Sequence, residues 1–209
     1  MNIPKKIIIV GGVAGGASCA ARLRRLDEQA EILMLDRGPF VSFANCGLPY
    51  HVGDVIPEEN SLLLASPELF RDRFRIDVRV RHEVVEILRD EHKVRVKNLD
   101  DGTVTEKAYD ALVLSPGAAP LKPDLPGLDL PGVFTVRTIP DTRSIRAWIA
   151  TTKAKNAVVA GGGFIGLEMA ENLRHLGLNV TLLQNTSQLM PSMDAEMTVP
   201  LLAHLQSHG

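Results

Sequence analysis

Two thiols, Cys19 and Cys46, sit in surroundings that suit them to different chemistry. Cys46 lies in the loop-like stretch SFANCGLPY at 42–50, where Pro49 fits the first turn of a helix that would begin just after the cysteine. A thiol at a helix N-terminus has its thiolate stabilised by the dipole, which makes it a usable nucleophile near neutral pH. A buried structural cysteine is the plainer alternative at this position. Cys19 falls on a predicted helix with Leu23 and Leu26 at i+4 and i+7, a core-facing pattern. No C-x-x-C or C-x-x-x-x-C dithiol occurs, so thiol redox chemistry here would use one protein sulfur and a partner thiol from outside. The six histidines are scattered singly and read as surface or supporting residues, and no Cys/His spacing fits a metal site.

Two glycine-rich turns supply the second kind of chemistry. Gly161, Gly163 and Gly166 fit G-x-G-x-x-G between a strand and a helix. There the first glycine permits the tight turn, the second lets backbone approach a pyrophosphate, and the third lets helix pack on strand. The acidic residue expected after the next strand, to hold a ribose hydroxyl, is replaced by Gln184, with no arginine following at Asn185 or Thr186. The choice between NAD and NADP therefore stays open. In the first turn, GGVAGG at 11–16, Gly11 and Gly16 hold the outer positions, Val13 the central one, and Asp36 ends the next strand. Two ordinary glycine turns would be the bland reading of the same residues. On the first helix, Ser18, Arg22 and Arg25 form a polar stripe, which is a solvated face by default and an anion site only with further support.

The elements that position these residues follow from periodicity. Ile7–Val10, a helix from about Ala14 to Leu26 and a strand Glu31–Asp36 make one βαβ pattern; Ala157–Ala160, a helix to about Leu176 and a strand Asn179–Gln184 make another. Between them, Ile76–Ile87, Lys93–Asn98 and Thr103–Tyr109 predict an antiparallel meander turning at Asp-Asp-Gly 100–102. Ala111–Leu114 reads as a further strand, Pro116–Gly132 as linker, and Pro140–Lys153 as a connecting helix. The fold class is α/β: Rossmann-like βαβ units with a small β-meander, the second unit truncated. One strand and one helix, about Asp194 to His208, follow the second turn's helix, so the sequence predicts a fragment of a longer enzyme.

Composition narrows the rest. Of 209 residues 45% are hydrophobic, enough for one large or two small cores. Lys+Arg 23 against Asp+Glu 25 gives net charge -2, which argues against a nucleic-acid partner. No apolar run approaches a membrane span, and the run after the N-terminal lysines is too short for a signal peptide, so the expected location is cytoplasmic.

The combination GGVAGG, SFANCGLPY, YDALVLSPGAAP (109–120), GGGFIGLEMAENL (161–173) and MPSMDAEM (190–197) resembles the pyridine nucleotide-disulfide oxidoreductases with a single active-site cysteine. Within them it is most similar to the coenzyme A-disulfide reductases, including forms fused to a rhodanese domain. The resemblance implies FAD on the first unit and NAD(P)H on the second. It divides the chain into an FAD-binding segment over 1–120, a linker and connecting helix over 121–150, and an incomplete NAD(P)-binding domain over 151–209. It implies that Gly11, Val13, Ala14, Asp36 and Arg37 line the FAD site together with Phe43, Val84, Ser115, Pro116 and Gly117. Phe164 would be an aromatic gate over the flavin, with Ile165 and Glu168 beside the incoming nucleotide, near Gly161, Gly163, Gly166 and Gln184. Ser18, Arg22, Arg25, Ser42 and Asn45 would face coenzyme A, and Cys46 would be the catalytic thiol. The parent enzyme would be a homodimer acting on a coenzyme A disulfide or persulfide.

One departure concerns Phe74, which stands where related reductases place a further basic contact. The nearest rival is an NADH oxidase or peroxidase cycling a cysteine sulfenic acid. Those relatives have a histidine in the first glycine turn where this chain has Ala14, and lack the Pro49-Tyr50 ending of the cysteine motif, so both features favour disulfide or persulfide reduction. A third reading takes the 209 residues as a catalytically silent nucleotide-binding fragment.

Overall fold

The β-branched run that opens the chain is a strand with both faces covered. A computed structural model describes residues 4–209; the start of the lysine-flanked segment, 1–3, lies outside the described residues. The described chain forms two compact units, one of residues up to 44 with 63–119, the other of 45–62 with 120–209.

In the first unit, β1 (Lys6–Val10), β2 (Glu31–Leu35), β3 (Asp77–Arg79) and β7 (Ala111–Leu114) form a parallel sheet in the order β3-β2-β1-β7. Parallel strands are buried on both faces and read as continuous apolar runs, which accounts for Ile7-Ile8-Ile9. Ile7 and Ile9 join Ile32 and Met34 beneath α1 (Gly15–Leu26), which contributes Ala17 and Ala20. Ile8 and Leu35 face Val94 and Val96 of the antiparallel meander β4 (His82–Leu88), β5 (Lys93–Asn98) and β6 (Val104–Ala108). The strand expected over Ile76–Ile87 is thus two: β3 extends the parallel sheet, and the chain turns at Arg81 (φ 55) before β4 opens the meander. The hairpin at 100–102 is as expected, with Gly102 in the left-handed region.

Leu26 is a second correction. It is 66% exposed, whereas Leu23 and Cys19 pack on the core; the buried side of α1 is set by Ala17, Ala20 and Arg24. Arg24 is buried because its guanidinium donates to four carbonyls, those of Asp27, Glu28, Phe74 and Arg75. It ties the end of α1 to the end of α3 (Pro67–Phe74), where Phe74 itself packs on the core.

The second unit holds α2 (Leu48–Val52), α4 (Ile139–Thr152), the parallel pair β8 (Asn156–Ala160) and β9 (Asn179–Leu183), α5 (Phe164–His175) and α6 (Ala195–Ser207). Val52 of α2, Ile145 of α4 and Met169 and Leu173 of α5 share one core with Val159 and Val180 of the sheet. The opposite face of this pair is open, with Val158 67% and Leu183 53% exposed.

Candidate functional site

The two glycine turns repeat the same key hydrogen bonds. Gly11 and Gly161 both have positive φ (93° and 113°) and both donate to the last residue of the second strand, Leu35 and Leu183, at 2.7 Å. The amide of Gly12 is accepted by Asp36 Oδ2 at 2.7 Å, that of Gly162 by Gln184 Oε1 at 2.8 Å. The carbonyls of the same two glycines accept from Ser42 and Met190, each at 2.8 Å and each in the left-handed region. A Cβ on Gly16 would stand 1.7 Å from the carbonyl oxygen of Gly11, and one on Gly166 1.8 Å from that of Gly161, so both helices approach their strands as only glycine allows.

Neither turn's helix is capped by a side chain, and neither α1 nor α5 has an acidic residue in its first turn. By contrast α3 is capped by Ser66, and α4 by the reciprocal pair Thr138 and Asp141. Open N-terminal amides with no acidic residue in the helix's own first turn fit a phosphate. Gly163 sharpens the fit. Its φ of −86° suits any residue and no protein atom lies within 4 Å of a Cβ built there, so the space needed by an approaching pyrophosphate is present.

The residues expected at the first nucleotide gather mainly at the carboxyl ends of neighbouring strands. Gly11, Val13 and Ala14 follow β1, Asp36 and Arg37 follow β2, and Ser115, Pro116 and Gly117 follow β7. Gly11 and Ser115 nearly touch, since a Cβ on Gly11 would lie 2.0 Å from the Ser115 carbonyl oxygen. Asp36 uses its second oxygen on the amide of Gly38. Phe43 is buried and bridges to Leu63, next to Ser42 at the turn. Val84 lies on β4 among the side chains packed on Ile8 and Leu35. In the second unit, Phe164 (69%) and Ile165 (60%) are exposed at the start of α5, and the Glu168 carbonyl accepts from Asn172.

Cys46 is exposed and unpaired, and it lies within a 3-10 turn, Asn45–Gly47, that runs into the five-residue α2. Cys19 is the other free cysteine, half-buried against the core of the first unit. The expected coenzyme A residues divide between the units: Ser18, Arg22, Arg25 and Ser42 in the first, Asn45 beside Cys46 in the second. Arg22 and Arg25 are exposed and make no ion pair among the described residues; Arg25 donates to its own helix at Ala21. The Asn45 Oδ1 atom is buried and has no hydrogen-bond partner.

The segment that carries Cys46 is anchored by residues the sequence did not single out. Gly53 packs so closely on the buried Asn172 that a Cβ would lie 2.3 Å from its Oδ1. Arg146 donates to the carbonyl of His51 and, at 2.9 Å, to Asp54, while Arg143 grips Glu59 through two hydrogen bonds. The Arg143 guanidinium holds the Glu59 carboxyl below the ordinary carboxylate range. His51, read as a surface or supporting residue, is 3% exposed with Nδ1 bonded to the Ile56 carbonyl, and His204 and His208 stack at the end of α6 rather than standing alone. The partners of α2 lie some ninety residues or more away in sequence, beyond the reach of local spacing. Among the described residues no cluster of His, Cys, Asp or Glu could hold a metal, and no helix is long and apolar enough to cross a membrane.

A family model described as pyridine nucleotide-disulphide oxidoreductase matches residues 5–209. A coenzyme A disulfide reductase of Staphylococcus epidermidis is 41% identical over 204 residues, 98% of this chain and 46% of that protein. The chain thus spans about half the length of the curated relatives it matches. The structure of reduced Bacillus anthracis CoADR-RHD superposes with a TM-score of 0.96 at 48% identity, covering 99% of this chain and 37% of that one. A NAD-dependent persulfide reductase from A. fulgidus gives a TM-score of 0.93 at 35% identity, covering 98% and 38%.

Proposed function

The chain belongs to the pyridine nucleotide-disulphide oxidoreductases, and from that premise we propose that it is part of a coenzyme A-disulfide or coenzyme A-persulfide reductase in which Cys46 is the only redox thiol. Enzymes of this family use FAD and NAD(P)H. FAD, when bound, supplies two-electron transfer between the nicotinamide nucleotide and the thiol. In this reading the first turn would hold the flavin nucleotide, the α1 amides suiting its pyrophosphate and Asp36 its ribose; the second turn and Gln184 would do the same for NAD(P)H. Cys46 thiolate attacks one sulfur of the substrate disulfide, the S–S bond breaks, and one coenzyme A thiolate leaves. Two electrons then cleave the mixed disulfide on Cys46, which returns the thiolate and releases the second coenzyme A with a proton.

The observation that carries this is the isolation of Cys46. It is exposed and unpaired, and the one other cysteine is packed into the core of the first unit. The exposed guanidiniums of Arg22 and Arg25, which make no ion pair among the described residues and stand one helical turn apart beside Ser18, are suited to the phosphates of coenzyme A. Asn45 directly precedes Cys46, and its Oδ1 is buried without a hydrogen-bond partner. A cytoplasmic homodimer as the working form belongs to the same reading. In the full-length flavoprotein, Cys46→Ser should lower NAD(P)H turnover with coenzyme A disulfide at least about a thousandfold, as loss of a covalent nucleophile does. Full turnover by that variant overturns the single-thiol mechanism. Oxygen or peroxide preferred over every disulfide and polysulfide would instead favour a sulfenic-acid cycle.

The open face of the β8–β9 pair favours a second reading for the 209 residues taken alone, that of a nucleotide-binding piece without turnover. Purified alone, they should show substoichiometric flavin absorbance; stoichiometric FAD would contradict that reading.

A further inference from the structure

The parallel sheet of the first unit has a second end. Gly11, Asp36 and Ser115 stand at the carboxyl ends of its strands, whereas an open cleft of about 480 Å³ lies at the amino ends of β1 and β2. Arg75 and Asp77 bound it on one side and the end of β6 on the other. Its floor is apolar, for Ile8 and Leu33 line it and both belong to the cluster beneath the meander. Its rim is charged, and strand register and hydrogen bonding decide how each charge is met. Lys6 and Glu31 are partners across β1 and β2, so they share a face and offset each other. Asp77 accepts two hydrogen bonds from Arg79, and Glu106 accepts from Lys93 and Arg95. Two cations are left. Arg75 donates to a neutral carbonyl, that of Glu28. Lys107 is half-buried and makes no ion pair among the described residues. It is the partner of Val94 across β5 and β6, and Val94 is fully buried in one cluster with Ile8. Lys107 therefore stands on the core-facing side of the meander, above the apolar floor, and not on the outer side where Glu106 is paired. A half-buried ammonium bonded to no carboxylate is a ready partner for an anion.

We propose that this cleft is an accessory binding site for a small organic anion with an apolar body, a medium-chain carboxylate being the simplest. The body lies on Ile8 and Leu33, and the carboxylate meets Lys107 and Arg75. The volume is that of a small-molecule site, and the uncompensated cations select an anion over a neutral or amine analogue of the same shape. Because the cleft is at the opposite end of the sheet from the first glycine turn, its occupant leaves the nucleotide position free.

The test is calorimetric titration of the full-length flavoprotein with octanoate, octanol and octylamine. Octanoate should bind saturably with a Kd below about 1 mM, and the other two at least about tenfold more weakly. Lys107→Gln should weaken octanoate by about tenfold, and raised salt should weaken it in the unaltered protein. Lys107→Arg keeps the charge and should retain octanoate binding, which separates loss of the cation from disturbance of the meander. Absence of saturable octanoate binding overturns the inference. So does equal binding of the three probes, or an unchanged octanoate Kd in Lys107→Gln.

Discussion

The first and second glycine turns share the bond from the first glycine to the second strand and the bond onto the second glycine's carbonyl, and they differ in what surrounds those bonds. Around Gly11 the protein closes in, with the Ser115 carbonyl 2.0 Å from a would-be Cβ; around Gly161 nothing lies within 4 Å. The reason is topological. β1 has β7 beside it, and the loop after β7 folds over the first turn, whereas β8 has only β9 as a neighbour among the described strands. Within the described residues, the same local sequence logic thus gives one turn closed in by a neighbouring loop and one without such a neighbour. The lesson is that a glycine fingerprint specifies the turn, while neighbouring strands decide how tightly it is held.

That contrast can be broken by substitution. Alanine at Gly11 meets both an unfavourable φ and backbone overlap, and should cost about 3 kcal/mol or more. Alanine at Gly161 meets only the unfavourable φ, and should cost about 1–2 kcal/mol. Equilibrium urea unfolding of the two variants measures the difference; equal losses would mean that the Ser115 loop yields freely.

The polar partners give a smaller contrast. Asp36 satisfies two amides, Gly12 and Gly38, and Gln184 satisfies one. Asp36→Ala should therefore cost about 2 kcal/mol and Gln184→Ala about 1 kcal/mol by the same assay, in proportion to the donors left bare.

The smallest effect belongs to the second unit alone. The Glu59 carboxyl is held below its ordinary range chiefly by the hydrogen bond from Arg143. A carboxyl lowered in the folded state stabilises fully above the carboxylate range and loses that contribution as pH falls through its lowered value. Because Arg143 is 54% exposed, the pair should contribute no more than about 1 kcal/mol. Thermal unfolding of Glu59→Gln should show a shallower loss of stability below about pH 5 than the unaltered chain. Parallel pH profiles would show that the clasp contributes nothing.

Much of this was legible in the residue order. Ile7–Val10 and Ala157–Ala160, each followed by glycines and an amphipathic helix, define two βαβ units by local pattern alone, and the helices and strands end within a residue or two of where the periodicity places them. What could not be read depends on distant partners. Val78 and Val84 look like one strand until β2 and β5 claim them separately. Leu26 fits the apolar spacing of α1, but the helix turns its alanines and the four-carbonyl clasp of Arg24 inward instead. Around Cys46 the motif showed the thiol and the helix start. The hold of Asn172 and Arg146 on that segment became visible only in three dimensions.

The central claim is that two turns of one design hold two different nucleotides. Flavin content and anaerobic reduction by NAD(P)H, measured on full-length Gly16→Val and Gly166→Val proteins, test it most directly. The account predicts that Gly16→Val loses its bound flavin, while Gly166→Val stays yellow, is reduced by dithionite, and is not reduced by NAD(P)H. Flavin lost from both variants, or NAD(P)H reduction intact in Gly166→Val, would contradict it.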